Sequence, residues 1–230
     1  MFWIDYWYIV LVLPAMIFAF WAQYRVQSTF NKYSRISTRA GITGADAARM
    51  VLRANGVGNV DIRETQGNLT DHFDPRNNTI YLSSAVYGGT GVAAVGVAAH
   101  EAGHAVQYAR SYAPMKLRAA IIPVTQLGSN LAMPLVLLGI LFAIPPLAYA
   151  GVIAFGASTL FQLVTLPVEF NASRRAMEAI GGSGYFGEEE ASGARRVLTA
   201  AAMTYVAALA VSLANLLRLF MIVGGRRGRR

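Results

Sequence analysis

The chain of 230 residues contains no cysteine. This absence excludes disulfide-stabilised scaffolds, thiolate metal sites and cysteine nucleophiles. Charged residues are also scarce, since they make up 14% of the sequence where soluble domains carry about 25%. Hydrophobic residues account for 55%, and they are gathered in long blocks that exclude a wholly soluble protein. We therefore expect a mainly α-helical integral membrane protein, with the lipid bilayer as a partner.

Basic residues outnumber acidic ones, and the formal net charge is +8. No stripe of basic residues interleaved with aromatic side chains is present, so we expect no nucleic-acid partner. The basic residues are better explained as determinants of membrane orientation.

The hydrophobic blocks predict three or four transmembrane helices, because each can cross a hydrocarbon layer of about 30 Å at about 1.5 Å per residue. The first block has aromatic residues at both ends and basic residues after it, which predicts an anchor and not a signal peptide. No charged residue lies between 119 and 168, and Pro145-Pro146 divides this run into a helical hairpin. The predicted segments are a transmembrane helix at 2–24, the hairpin at 119–168, a last transmembrane helix at 197–223 and a basic tail at 224–230.

Lys and Arg residues predict the orientation of these helices. They flank the first helix and the hairpin on one face of the membrane, whereas the hairpin turn is uncharged. Because short cytoplasmic loops are enriched in Lys and Arg, we expect residues 25–118 and 169–196 on the cytoplasmic side. The orientation of 197–230 stays open, since basic residues lie at both of its ends. Arg218, the charge inside the last block, is expected to extend towards the membrane surface.

Residues 40–118 have the pattern of a small α+β region. Thr43 and Asp46 predict the capped start of a helix over 45–54. We further expect strands at 60–65 and 79–82, a loop at 83–90, and a helix from Thr90, its candidate N-cap, to about Tyr108. The second strand is either a plain structural strand or an edge that binds an extended peptide. A helix at 169–180 and a Gly-rich, acidic and solvated linker at 181–196 complete the predicted organisation.

The motif His100-Glu101-Ala102-Gly103-His104 carries the candidate chemistry. On a helix the two histidines lie four residues apart on one face, so both can bind one metal ion, while Glu101 can act as general base. Such a motif is expected by chance about 0.001 times in a chain of this composition. Its helix is apolar nearly all round, so an unpaired Glu and two unpaired His would be costly to bury there. Zn²⁺ suits nitrogen and carboxylate ligands and is the expected cofactor.

A catalytic zinc needs a third protein ligand. Gln107 and Arg110 stand where a metzincin would have Gly and His, which excludes that class. Glu169 is the favoured candidate because it ends the charge-free run, and His72 remains as an alternative ligand or transition-state donor.

Several motifs together resemble the bacterial membrane-bound putative neutral zinc metallopeptidases (YugP type, gluzincin-like). The resemblance lies in Asp71–Pro75, Val97–Gln107, Gly128–Asn130 and Leu166–Phe170, in this order. It implies a zincin-like peptidase region in a multi-pass protein of the bacterial cytoplasmic (inner) membrane, with His100, His104 and Glu169 as zinc ligands and Glu101 as base. Asn171 stands where the family is expected to carry Asp; an Asn can still accept a hydrogen bond there but offers no charge to tune the site.

The leading hypothesis is a membrane-anchored zinc endopeptidase that acts on protein or peptide substrates, with its active site on the cytoplasmic side. An intramembrane protease of the site-2 kind is one alternative, although residues 119–168 lack the Asp that this class requires. A non-catalytic, metal-retaining membrane assembly or chaperone subunit is another, against which Glu101 argues because a structural site needs no base. The sequence does not indicate which oligomeric state the protein adopts.

Overall fold

A computed structural model describes residues 5–68 and 70–225. The predicted basic tail from 226 onward and residues 2–4 of the first predicted helix lie outside the described residues. Helices predominate, and one small sheet is present. In chain order the elements are a π-helical segment at Tyr8–Val12, then α1 (Leu13–Ser34), α2 (Gly44–Ala54), β1 (Asp61–Thr65), β2 (His72–Asp74), β3 (Thr79–Ser83), α3 (Ser84–Tyr87), α4 (Val92–Ala109), α5 (Ala113–Leu141), α6 (Pro145–Gly182) and α7 (Glu188–Gly225).

Four helical segments of the described chain are long and apolar enough to cross a membrane: Tyr8–Ser34, α5, α6 and α7. The sequence predicted three or four transmembrane helices, and the structure agrees with four. The turn lies at residues 142–144, before the predicted position, because Pro145 begins α6 instead of lying between the helices. Proline is favourable in the first turn of a helix, because the backbone N–H groups of that turn make no hydrogen bond within the helix and none is lost. Helix α6 continues through the predicted 169–180 helix without a break.

The chain forms two compact units. The first, here called the helical unit, comprises the described residues of Met1–Ala22, Leu117–Leu166 and Thr204–Arg230. Within it α5 and α6 pack backbone to backbone, since a Cβ at Gly151 would lie 2.7 Å from the carbonyl oxygen of Ala132. A hydrogen bond of 2.8 Å between the hydroxyls of Thr159 and Ser212 joins α6 to α7. Small residues and buried hydroxyls of this kind are typical of contacts between transmembrane helices.

An ion pair joins the start of the described chain to the end of α7 within the helical unit. Nη2 and Nε of Arg218 lie 2.7 and 2.9 Å from Oδ2 of Asp5. The guanidinium also lies over the ring of Tyr8, and the Arg218 side chain is 12% exposed. The Arg218 guanidinium is thus paired with a carboxylate of the same unit, and its extension towards the membrane surface stays a prediction. This contact places the start of the first helix beside the C-terminal part of the last.

The second unit, here called the α/β unit, comprises Gln23–Lys116 and Pro167–Met203. Its sheet has the order β1-β3-β2, with β1 parallel and β2 antiparallel to β3. The two predicted strands are confirmed, but β2 was not predicted because three residues are too few to show an alternating pattern. Since β3 is the central strand, the expectation that it offers a free edge for a peptide is wrong.

Helix α2 begins as predicted, with a reciprocal capping box between Thr43 and Asp46. The segment predicted as a loop contains the short helix α3. Helix α4 begins two residues later than predicted and takes Gly91, not Thr90, as its N-cap. A Cβ at Gly91 would lie 2.6 Å from the carbonyl oxygen of Ser34, so only glycine fits this close approach.

Helix α4 forms the centre of the core of the α/β unit. It packs in one apolar cluster with β3, α2 and residues of α6 and α7, and the fully buried members include Val51, Ile80, Leu82, Val95 and Val106. An apolar helix covered on nearly every side is held rigidly, which fixes the position of any polar side chain that it carries.

The segment predicted as a solvated linker is partly helical, because α7 begins at Glu188. Acidic residues in the first turn of a helix interact favourably with its dipole. Glu190 is 7% exposed and accepts hydrogen bonds from the backbone N–H groups of Arg39, at 2.6 Å, and Gly187, at 2.8 Å. This residue is therefore a buried cap and not a solvated charge.

Candidate metal centre

Two histidines on α4 form the first half of the candidate site. His100 and His104 lie four residues apart, and their ring centroids are 4.7 Å from each other with nearly perpendicular planes. Their side chains are 14% and 10% exposed. The helical spacing thus brings two imidazoles together at the edge of the buried core, as the sequence predicted.

Glu169 on α6 completes the cluster. Its Oε2 lies 3.2 Å from Nε2 of His100 and 3.4 Å from Nε2 of His104, and its side chain is 3% exposed. One ligand atom from each of the three side chains lies within 4.8 Å of the other two, a spacing that could hold a metal ion. The structure therefore brings together the three residues that the sequence predicted as ligands.

Gly103 permits this approach of α6 to α4. A Cβ at this position would lie 2.5 Å from the carbonyl oxygen of Ala172 and 3.1 Å from its carbonyl carbon and Cα. Any larger side chain would push away the helix that carries Glu169. The glycine inside the motif, which costs helix propensity, is thus explained by direct packing against the ligand-bearing helix.

The remaining ring nitrogens of both histidines have side-chain partners. Nδ1 of His100 lies 3.1 Å from the hydroxyl of Ser173, and Nδ1 of His104 lies 3.0 Å from Oε1 of Gln107. Polar groups in these positions can fix the orientation of an imidazole ring. Sequence reasoning missed both roles. The available signal was spacing, because Gln107 follows His104 by one helical turn and Ser173 follows Glu169 likewise.

Comparison with known proteins decides the family. Residues 8–224 match a family model described as "Putative neutral zinc metallopeptidase". The chain belongs to this family. It is also 46% identical over 215 residues to the "Putative membrane protease YugP" of Bacillus subtilis (strain 168), which covers 94% of this chain and 96% of that protein. No solved structure matches the chain.

The zinc that this metallopeptidase family implies fits the three clustered side chains. Two imidazoles and one carboxylate are a known catalytic ligand set for zinc. Burial of His104 disfavours its charged form and would lower its pKa. The hydrogen bond to Glu169 and the negative charges of Glu101 and Glu169 outweigh this effect, so the pKa of His104 is raised above its ordinary value. The cluster therefore attracts positive charge into a nearly buried position, which a metal cation would supply.

The other site residues predicted from the sequence lie around the cluster or away from it. Glu101 is half-buried on α4, next to His100 in the chain. His72 lies on β2, where its exposed ring stacks on Tyr81 and its Nδ1 is 2.8 Å from the carbonyl oxygen of Thr70. Among the described residues, it is not part of the cluster that could hold a metal ion.

Asn171 is hydrogen-bonded to Gln107, the residue that contacts the ring of His104. Its Oδ1 accepts hydrogen bonds from Nε2 of Gln107, at 3.0 Å, and Nε of Arg175, at 2.8 Å. Asn171 is thus connected to His104 through Gln107.

Proposed function

We propose that this family member is a membrane-anchored zinc-dependent endopeptidase, with His100, His104 and Glu169 as zinc ligands and Glu101 as general base. The observation that carries the proposal is the convergence of Nε2 from both histidines on one oxygen of Glu169. Membership of the metallopeptidase family supports it independently.

The bound zinc would supply Lewis acidity towards a peptide carbonyl and would lower the pKa of a water molecule to about 7. Glu101 then has the role of moving protons: its carboxylate accepts one from the attacking water and donates it to the departing amine. Glu169 is unsuited to that role, because its Oε2 faces both imidazoles and its side chain is almost fully buried. Glu101 is half-buried and so remains open to water and substrate.

The positions of the basic residues support an active site on the cytoplasmic side of the bacterial inner membrane. The family relative is named a membrane protease, and four helices of this chain are apolar enough to span a bilayer. Lys and Arg are enriched in cytoplasmic loops, and here they cluster on the same side of the predicted spans as the His100 helix. The residues concerned are Arg25, Lys32, Arg35, Arg39, Lys116, Arg118, Arg174 and Arg175.

The variant Glu101→Gln tests the proposed function. The amide keeps the size of the side chain but cannot accept a proton, so we expect wild-type zinc content and a loss of about 10²-fold or more in cleavage of an unfolded, fluorescently labelled protein. Glu178→Gln, at a side chain that is 65% exposed on α6, is the matched control and should cleave at the wild-type rate. Wild-type cleavage by Glu101→Gln would refute the general-base assignment, and absence of cleavage by the zinc-loaded wild type would refute the peptidase.

A further inference from the structure

Gln107 is fully buried beside the candidate metal centre and makes three polar contacts there. Its Oε1 lies 3.0 Å from Nδ1 of His104. Its Nε2 donates one hydrogen bond to the main-chain oxygen of Val168, at 2.7 Å, and another to Oδ1 of Asn171, at 3.0 Å. Every one of these partners belongs to α4 or to the stretch of α6 around Glu169.

These partners leave the Gln107 amide a single orientation. A main-chain carbonyl can only accept hydrogen bonds, so the NH₂ group must face Val168, and Oε1 must then face His104. An oxygen in that position can only accept, so Nδ1 of His104 must carry a hydrogen. The neutral ring then has its lone pair on Nε2, the nitrogen that points at Glu169.

Asn171 supports the same orientation from the other side. Its second partner is Nε of Arg175, which can only donate. Because Arg175 donates to Oδ1 of Asn171, this oxygen is the atom that faces Gln107, and it accepts a hydrogen bond from the second N–H of the Gln107 amide. Both hydrogens of the buried amide are therefore used, and a rotated amide would leave the Val168 carbonyl facing an oxygen.

We propose that Gln107 is a positioning residue that fixes the tautomer of His104 so that Nε2 is the metal-binding nitrogen, with the Val168 carbonyl and Asn171 holding the amide. The inference rests on the proposed metal site. Because Val168 directly precedes Glu169, one side chain also links the backbone of the third ligand to the ring of the second. An Asp at 171 would serve equally, since the position needs only an acceptor.

Metal affinity is the first test, measured on the purified full chain by competition with a chromophoric chelator. Gln107→Leu keeps the approximate volume and removes both polar groups, so we expect zinc affinity to fall about 10- to 100-fold. Asn171→Asp should keep the wild-type affinity, and Asn171→Leu should lower it. Gln126→Leu makes the same chemical change on α5 and serves as the control, with no expected effect on zinc affinity.

The tautomer itself can be observed, because the chain has 3 histidines. In ¹⁵N-histidine spectra of the zinc-loaded wild type, we expect His104 to carry its hydrogen on Nδ1, and we expect that signal to weaken or exchange faster in Gln107→Leu. A hydrogen on Nε2 of His104, or wild-type zinc affinity in Gln107→Leu, would overturn the proposal. These readouts do not require cleavage, so a zinc-binding protein without peptidase activity would refute the proposed function and leave this inference standing.

Discussion

Replacing Gly103 by alanine probes the packing that brings the third ligand to the histidine pair. The new Cβ would lie 2.5 Å from the Ala172 oxygen, whereas ordinary contact begins at 3.4 Å, so α6 must retreat by about 0.9 Å at that point. Metal–ligand distances tolerate shifts of only about 0.2 Å. Helix propensity alone would favour alanine by about 0.5–1 kcal/mol, but overpacking a tight contact costs about 1–3 kcal/mol, so the clash prevails.

We therefore expect Gly103→Ala to lower zinc affinity about tenfold or more, measured by chelator competition on the purified protein. Gly96→Ala is the matched control on the same helix, because its Cβ would meet atoms of Ala194 at an ordinary 3.7 Å. That variant should keep wild-type zinc affinity. Equal affinities in the two variants would show that the approach of α6 at Gly103 does not set the position of Glu169.

Three further outcomes are expected. Glu169→Ala should lower zinc affinity by at least about tenfold in the same assay, and unchanged affinity would remove Glu169 from the site. Arg218→Ala leaves Asp5 without its guanidinium and should destabilise the protein by about 1–3 kcal/mol in thermal unfolding, whereas an unchanged transition would mean that the ion pair contributes nothing. The chain has no native cysteine, so a cysteine introduced by mutation is the one site that a thiol reagent can label. In intact cells an impermeant thiol reagent should label Gly225→Cys and spare Asn59→Cys, and labelling of Asn59→Cys would reverse the proposed orientation.

The three residues of the cluster could be predicted because their signals are local. His100 and His104 share one helix, where spacing alone sets their geometry. Glu169 was identified by its isolation at the end of a run without charge, which made an incidental acid improbable. The long hydrophobic segments were equally clear, because the thickness of a bilayer sets the length of a helix.

Spacing places Gln107 one turn after His104, but the partners of the supporting residues could not be predicted, since they lie on distant segments. Gln107 gains its role from Val168 and Asn171, which lie more than 60 residues away along the chain. Glu190 resembled a solvated linker residue, yet its carboxylate caps a backbone N–H of Arg39, 151 residues earlier. Sequence patterns report the periodicity of one segment, and they do not report which segment packs against it.

The central claim is that one zinc ion is bound by two imidazoles and one carboxylate in this chain. Zinc-edge X-ray absorption on the purified wild type measures this directly. We expect one zinc per chain, with two imidazole nitrogens at about 2.0–2.1 Å and a carboxylate oxygen at about 2.0–2.2 Å. A protein that binds no zinc, or a spectrum with fewer than two imidazoles, would contradict the account.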